Sequence, residues 1–203
     1  EDFEKFRASL GEGVGPVTLS GKIVLCRMVF KYAIDSCLID RPVRFGQAFN
    51  KPSKKVLRVN RNNRGKRMFE ADELRAIIAT AIQPLKAMTL MAINCGFGQS
   101  DLARLPQTAV DLENGWVDYP RPKTGVERRC PLWPETLQVL REAIEKRPKP
   151  KDEADDGLCF LTRFGNPWVR QGNQPDPGER SSMDLVSTAF GRMLKKMDVD
   201  GNR

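Results

Sequence analysis

The residues able to do chemistry in this chain are lysine, arginine, aspartate, glutamate, tyrosine and cysteine, because its 203 positions hold no histidine. That absence excludes Ser-His-Asp and Cys-His triads, histidine-based zinc sites and imidazole proton shuttles. Cys26, Cys37, Cys95, Cys130 and Cys159 are scattered and include no C-x-x-C pair. They read as reduced core thiols rather than metal ligands or a disulfide frame. No metal and no small-molecule cofactor is implied. Two features remain. Lys123 stands at the exposed tip of the turn Pro122-Lys123-Thr124-Gly125, and a run of cations occupies residues 51–67.

That run holds Lys51, Lys54, Lys55, Arg58, Arg61, Arg64, Lys66 and Arg67 with no acidic residue, and so equals the whole formal net charge of +8. A charge this concentrated points to a polyanionic partner. The segment reads either as a solvated, flexible linker or as a linker that also tracks phosphates. Arg27 and Lys31 lie a turn apart, outside an apolar stripe, and are further candidates for phosphate contact.

The elements that must position these residues follow from periodicity. Leu19, Ile23, Cys26, Phe30, Ala33 and Cys37 recur at helical spacing, with Thr18 or Ser20 as cap and Pro42 beyond the end. After the basic run, Leu74, Ile77, Ile78 and Ala81 predict an amphipathic helix, and Pro84 starts another. From Ile93 to Leu132 the pattern predicts the end of a buried helix closed by Gly96, then a short helix capped by Ser100 or Asp101. Three strands follow. Val110-Asp111-Leu112 and Trp116 to Tyr119 flank Glu113-Asn114-Gly115, and Val126 to Leu132 follows the Lys123 turn. Leu137, Leu140 and Ile144 mark a helix behind Pro134, Leu158 to Leu161 reads as a short strand, and Arg170 to Ser182 as a mobile loop. Val186, Phe190, Met193 and Met197 line a last helix capped by Ser181 or Ser182.

The order G-x-x-x-S-D-L-x-x-L at Gly96 to Leu105, an aspartate opening a hairpin, then K-T-G before a strand ending in Pro131-Leu132, resembles the catalytic domain of the tyrosine recombinases, or phage integrases. The resemblance covers roughly Phe69 to Met197, and weakly the helix before it, through Phe30-Lys31-Tyr32-Ala33 and Leu38-Ile39-Asp40-Arg41-Pro42. It implies a mainly α fold with a small antiparallel three-stranded sheet (α+β). It divides the chain into residues 1–50, the end of a helical core-binding domain, residues 51–67, a basic linker, and residues 68–203, part of a catalytic domain. The segment Glu1 to Val17 is too short to supply the rest of a core-binding domain.

In that family a tyrosine cleaves one DNA strand while two arginines and a lysine stabilise charge and protonate the leaving oxygen. The resemblance implies that Lys123 is the general acid and that Asp101 is the acidic residue following the first arginine. That arginine's own place is held by Gly98. Arg104 or Arg121 is a candidate to replace it. Neither Tyr32 nor Tyr119 stands where the nucleophile would, and no arginine box or tyrosine follows the last helix. The implied partner is double-stranded DNA, with self-association on DNA compatible with the family. Two functions remain open: part of a DNA-cleaving integrase with an altered phosphate pocket, or a DNA-binding module whose chemistry is lost. An RNA-binding reading is weaker, because no aromatic pair marks a stacking platform. No apolar run approaches the ~20 residues that span a bilayer and no signal-peptide pattern opens the chain, so a cytoplasmic location is expected.

Overall fold

A computed structural model describes residues 2–63, 65, 68–170 and 183–199. They fall into two compact units, Glu1–Met68 and Phe69–Asn202. Among the described residues no helix is long and apolar enough to cross a membrane.

The first unit is helical. Helix α1 (Asp2–Gly11) lies in a stretch with no helical signal in the sequence reading. It packs on α2 (Pro16–Asp35) and on a single 3-10 turn, Gln47–Phe49. Helix α2 starts on Gly15 with Pro16 in its first turn, not on Thr18 or Ser20, because proline's missing amide proton is no loss there. It ends before Cys37, which adopts φ 53° beyond the helix and is exposed instead of completing the apolar stripe. A phenylalanine cluster, joined from that stripe by Phe30, holds the unit together with the fully buried Ile23. Phe3, Phe30, Phe45 and Phe49 meet at ring separations of 5.0–6.0 Å, and Phe49 is fully buried. These offset and edge-on contacts suit the ring quadrupole.

The segment read as a linker contains helix α3 (Lys54–Asn62). Ser53 caps it by accepting from the Val56 amide at 3.3 Å, and the helix packs against α2. The cap and this packing outweigh the repulsion between neighbouring cations, which at helical spacing is only a few tenths of a kcal/mol per pair.

The second unit is built on α5 (Leu85–Cys95), whose Leu85, Ala87, Met88, Leu90 and Met91 are buried. Around it pack α4 (Ala71–Thr80), α6 (Gln99–Ala103), α7 (Pro134–Glu145) and α8 (Leu185–Lys196). One side is covered by an antiparallel sheet in the order β1 (Val110–Asp111), β2 (Trp116–Asp118), β3 (Arg129–Pro131). The register pairs Val117 with Cys130, and Val117 is fully buried. The fold is thus mainly α with a small three-stranded antiparallel sheet. A separate two-stranded antiparallel sheet pairs β4 (Val169–Arg170) with β5 (Met183–Asp184).

Two local expectations are corrected. Leu158 to Leu161 forms no strand: Leu158 makes one isolated bridge with Pro106, and the Cys159 amide donates to Leu105 O at 2.8 Å. Helix α8 is capped by Asp184, whose Oδ1 accepts from the Ser187 amide at 3.0 Å. Ser181, Ser182 and most of the expected mobile loop lie outside the described residues.

Candidate functional site

Helix α5 stops at Gly96, which takes φ 65° and ψ 28°, the left-handed conformation that a side chain disfavours. The chain then lays Phe97 into the core, 4% exposed, and Gly98 opens α6. Asp101 is therefore not the first capping residue. It sits one turn in, and its Oδ2 reaches back to accept from the Gly98 amide at 3.2 Å. This orients the carboxylate toward the residue preceding the helix.

The same Oδ2 accepts a second hydrogen bond, from Arg128 Nη1 at 3.0 Å. The two side chains are 17% and 14% exposed, so this ion pair is largely out of water. Arg128 Nε donates to Tyr119 O at 3.2 Å, and its guanidinium lies 4.3 Å above the Phe97 ring. Phe97 meets Tyr119 edge-on at 6.0 Å, and the Tyr119 hydroxyl donates to Arg104 O at 3.2 Å. Burial, followed by the nearby Asp101 charge, pushes the Tyr119 phenol above its usual range. A packed, hydrogen-bonded phenol held in its neutral form is a poor nucleophile.

Beyond Tyr119 and Arg128 the hairpin continues. Tyr119 N donates to Arg128 O at 2.9 Å, and Arg121 N donates to Val126 O at 2.8 Å. Gly125, at φ 68°, closes the turn with its amide on Arg121 O at 2.8 Å. Lys123 is exposed in this turn, at the tip of the hairpin whose base carries Arg128. The strand itself begins at Arg129, three residues later than Val126.

Of the residues singled out in the sequence, Asp101 and Gly98 are thus in contact, and Lys123 belongs to the hairpin that also delivers Arg128. Arg104 and Arg121 form no bond to Asp101. The other candidates belong to the first unit. Lys51, Lys54, Lys55, Arg58 and Arg61 are exposed, while Arg64, Lys66 and Arg67 lie outside the described residues. Lys31 is exposed and pairs with Asp35 at 2.8 Å. Arg27 turns inward: its Nη2 donates to Phe49 O at 2.8 Å and to Asn50 Oδ1 at 3.1 Å, and its guanidinium lies 5.2 Å from the Phe45 ring centre. Its charge serves the phenylalanine cluster, because the unpaired main-chain oxygen of Phe49 requires a donor.

Sequence reasoning missed Arg128. The available signal was alternation: Arg128, Cys130 and Leu132 share the inward side of the strand, while Glu127, Arg129 and Pro131 are exposed. An arginine at an inward position of a half-buried strand requires a partner.

A helical unit built on α5 carries a three-stranded sheet at its side and a lysine-tipped hairpin that leans on the turn before α6. Residues 67–200 match the model of the phage integrase family, and the chain belongs to that family. Among solved structures it resembles the Tn1549 transposon integrase in complex with transposon right end DNA, at TM-score 0.68 and 16% identity over 97% of this chain and 64% of that one. It also resembles a lambda integrase dimer bound to a COC' core site, at TM-score 0.60 and 16% identity over 91% and 58%. A lambda integrase tetramer bound to a Holliday junction aligns at TM-score 0.59 and 17% identity, over 91% and 46%. The chain therefore spans about two thirds or less of the length of these relatives. No curated protein is matched.

Proposed function

We propose that this chain is a DNA-binding part of a site-specific recombinase or integrase, with a helical unit and a catalytic-type unit that both address duplex DNA. The observation that carries this reading is the cationic face of α3. At 100° per residue, Lys54, Arg58 and Arg61 fall within one narrow stripe, and all three are exposed. A helix turns a run of charges into a row, and a row can follow a phosphate backbone. In the second unit Lys123 stands free at its hairpin tip, where its ammonium supplies the proton for a leaving oxygen in the family's chemistry. The tyrosine nucleophile of that chemistry is not Tyr119, whose hydroxyl is engaged with Arg104 O.

The test is the salt dependence of duplex binding. With about five phosphates neutralised, log K falls with log salt at a slope near −4 to −5. Neutralising Lys54, Arg58 and Arg61 together flattens the slope by about three and weakens all sequences alike. Binding indifferent to salt refutes the reading. A second reading, a module that kept DNA binding and lost strand cleavage, is favoured by one observation, the glycine at position 98.

A further inference from the structure

We propose that Cys95 and Cys130 form a modification site for two-electron oxidation, a thiol pair that a low-molecular-weight disulfide converts into an intrachain bond between the end of α5 and the middle of β3. The site is independent of the DNA-binding reading, since it concerns the covalent state of the second unit alone.

Three observations carry it. First, the two thiols meet: the Cys95 side chain is hydrogen-bonded to that of Cys130. Second, the backbone beside both is pinned. Cys95 is the last residue of α5, and Cys130 sits in β3 opposite Val117. Their chain neighbours are tied directly, with Asn94 Nδ2 donating to Pro131 O at 3.0 Å, and Asn94 Oδ1 accepts from the Trp133 amide at 2.8 Å. The thiols are therefore held together by main-chain contacts and not by a side-chain rotamer alone. Third, both thiols are free and half-buried, at the margin of the core rather than inside it. The other cysteines lack this setting. Cys159 is fully buried, and Cys26 and Cys37 belong to the first unit.

Thiol–disulfide exchange at this pair takes two steps. The Cys130 thiolate attacks one sulfur of the oxidant, whose S–S bond breaks and releases one thiol. Cys95 then attacks Cys130 Sγ in the mixed disulfide, and its proton leaves with the second thiol. Two cysteine thiols are oxidised to one disulfide, and the oxidant is reduced to two thiols. Burial, followed by the neighbouring Cys130, pushes the Cys95 thiol up to about 12, against the pull of Arg128. A thiol so seldom ionised is a poor first attacker. In the second step its contact with the target sulfur takes the place of thiolate population. The new bond closes residues 95–130 into a loop that contains Gly98, Asp101, Tyr119, Lys123 and Arg128. Oxidation therefore fixes every candidate residue of the second unit within one covalent ring on α5.

The experiment uses the chain with Cys37→Ser, which removes the exposed thiol as a source of bonds between chains. It is incubated with glutathione disulfide at about pH 8, alkylated and mapped by mass spectrometry after trypsin. The intact mass should fall by two hydrogens, and the peptides holding Cys95 and Cys130 should be joined until dithiothreitol is added. The link should form roughly tenfold or more faster in the folded chain than in urea. Adding Cys95→Ser should stop the reaction as a glutathione adduct on Cys130, and adding Cys130→Ser should leave Cys95 unmodified. Glutathione that stays on either thiol of the Cys37→Ser chain without a link overturns the proposal. So does a link that forms no faster than in urea, or a two-hydrogen loss that persists in either serine variant.

Discussion

Asn94 in the last turn of α5 holds Trp133 at the exit of β3: its Oδ1 accepts from the Trp133 amide at 2.8 Å while its Nδ2 donates to Pro131 O at 3.0 Å. One amide thus ties the central helix to the strand that follows Arg128, and it fixes the start of α7 at Pro134. Asn94→Ala leaves both main-chain groups without their partner and should cost about 1–3 kcal/mol in urea unfolding. Asn94→Asp keeps the acceptor for Trp133 but loses the donor for Pro131, and should fall between alanine and the parent chain.

Gly165 and Gly96 both have positive φ, 72° and 65°, yet differ in their surroundings. A Cβ at 165 would collide with main-chain atoms of the Lys149 to Lys151 segment, including Lys151 N at 2.9 Å, whereas one at 96 meets nothing within 4 Å. Gly96→Ala should therefore carry only the left-handed backbone cost, about 1–2 kcal/mol. Gly165→Ala adds a clash with backbone that cannot swing aside, and should lower stability by more, on the order of 3 kcal/mol or above. Denaturant midpoints for the two variants check the ranking.

Burial, then the neighbouring Cys130, pushes the Cys95 thiol up to about 12, against a pull downward from Arg128. Burial also pushes Cys159 up to about 12. A thiol whose pKa is raised on folding contributes stability that is complete below the unfolded value and is lost as pH climbs toward the folded one. The melting temperature should thus decline between about pH 9 and pH 12, and less steeply in Cys95→Ala and Cys159→Ala chains relative to their own values at pH 7. At pH 8 a thiol reagent should label exposed Cys37 well before Cys95 or Cys159.

Asp111 is held below the usual carboxylate range, first by the Asn114 amide at 2.9 Å and the Asn114 side chain at 2.8 Å, then by the Glu113 amide at 3.1 Å and the charge of Arg129. Its contribution to the β1–β2 hairpin is present above the unfolded value, about 4, and is lost as pH falls through the lower folded value. The carboxyl carbon shift of Asp111 should titrate below the ordinary aspartate value of about 4. Asp111→Asn should remove the hairpin's acid sensitivity while keeping one acceptor for the turn amides.

Local pattern was sufficient for much of this protein. The apolar stripe of α4, the glycine stop of α5 and the hairpin around Lys123 each depend on residues a few positions apart, whose preferences act wherever the chain goes. The contact of Asp101 with Gly98 likewise lies within one short window, three positions apart. Three things required the folded chain. Helix α3 was hidden because a run of like charges reads as disordered, although Val56, Leu57 and Val59 lie apart from its cations, and its cap and its packing on α2 supply the stability that the charges remove. Arg27 looked like a surface cation because its partner, Phe49 O, is 22 residues away in sequence. Arg128 looked like one basic residue among many, and only the pairing of β2 with β3 brings it onto Asp101, 27 positions earlier. A buried charge is defined by what surrounds it, and those surroundings come from strand register and helix packing, which no short window of sequence contains.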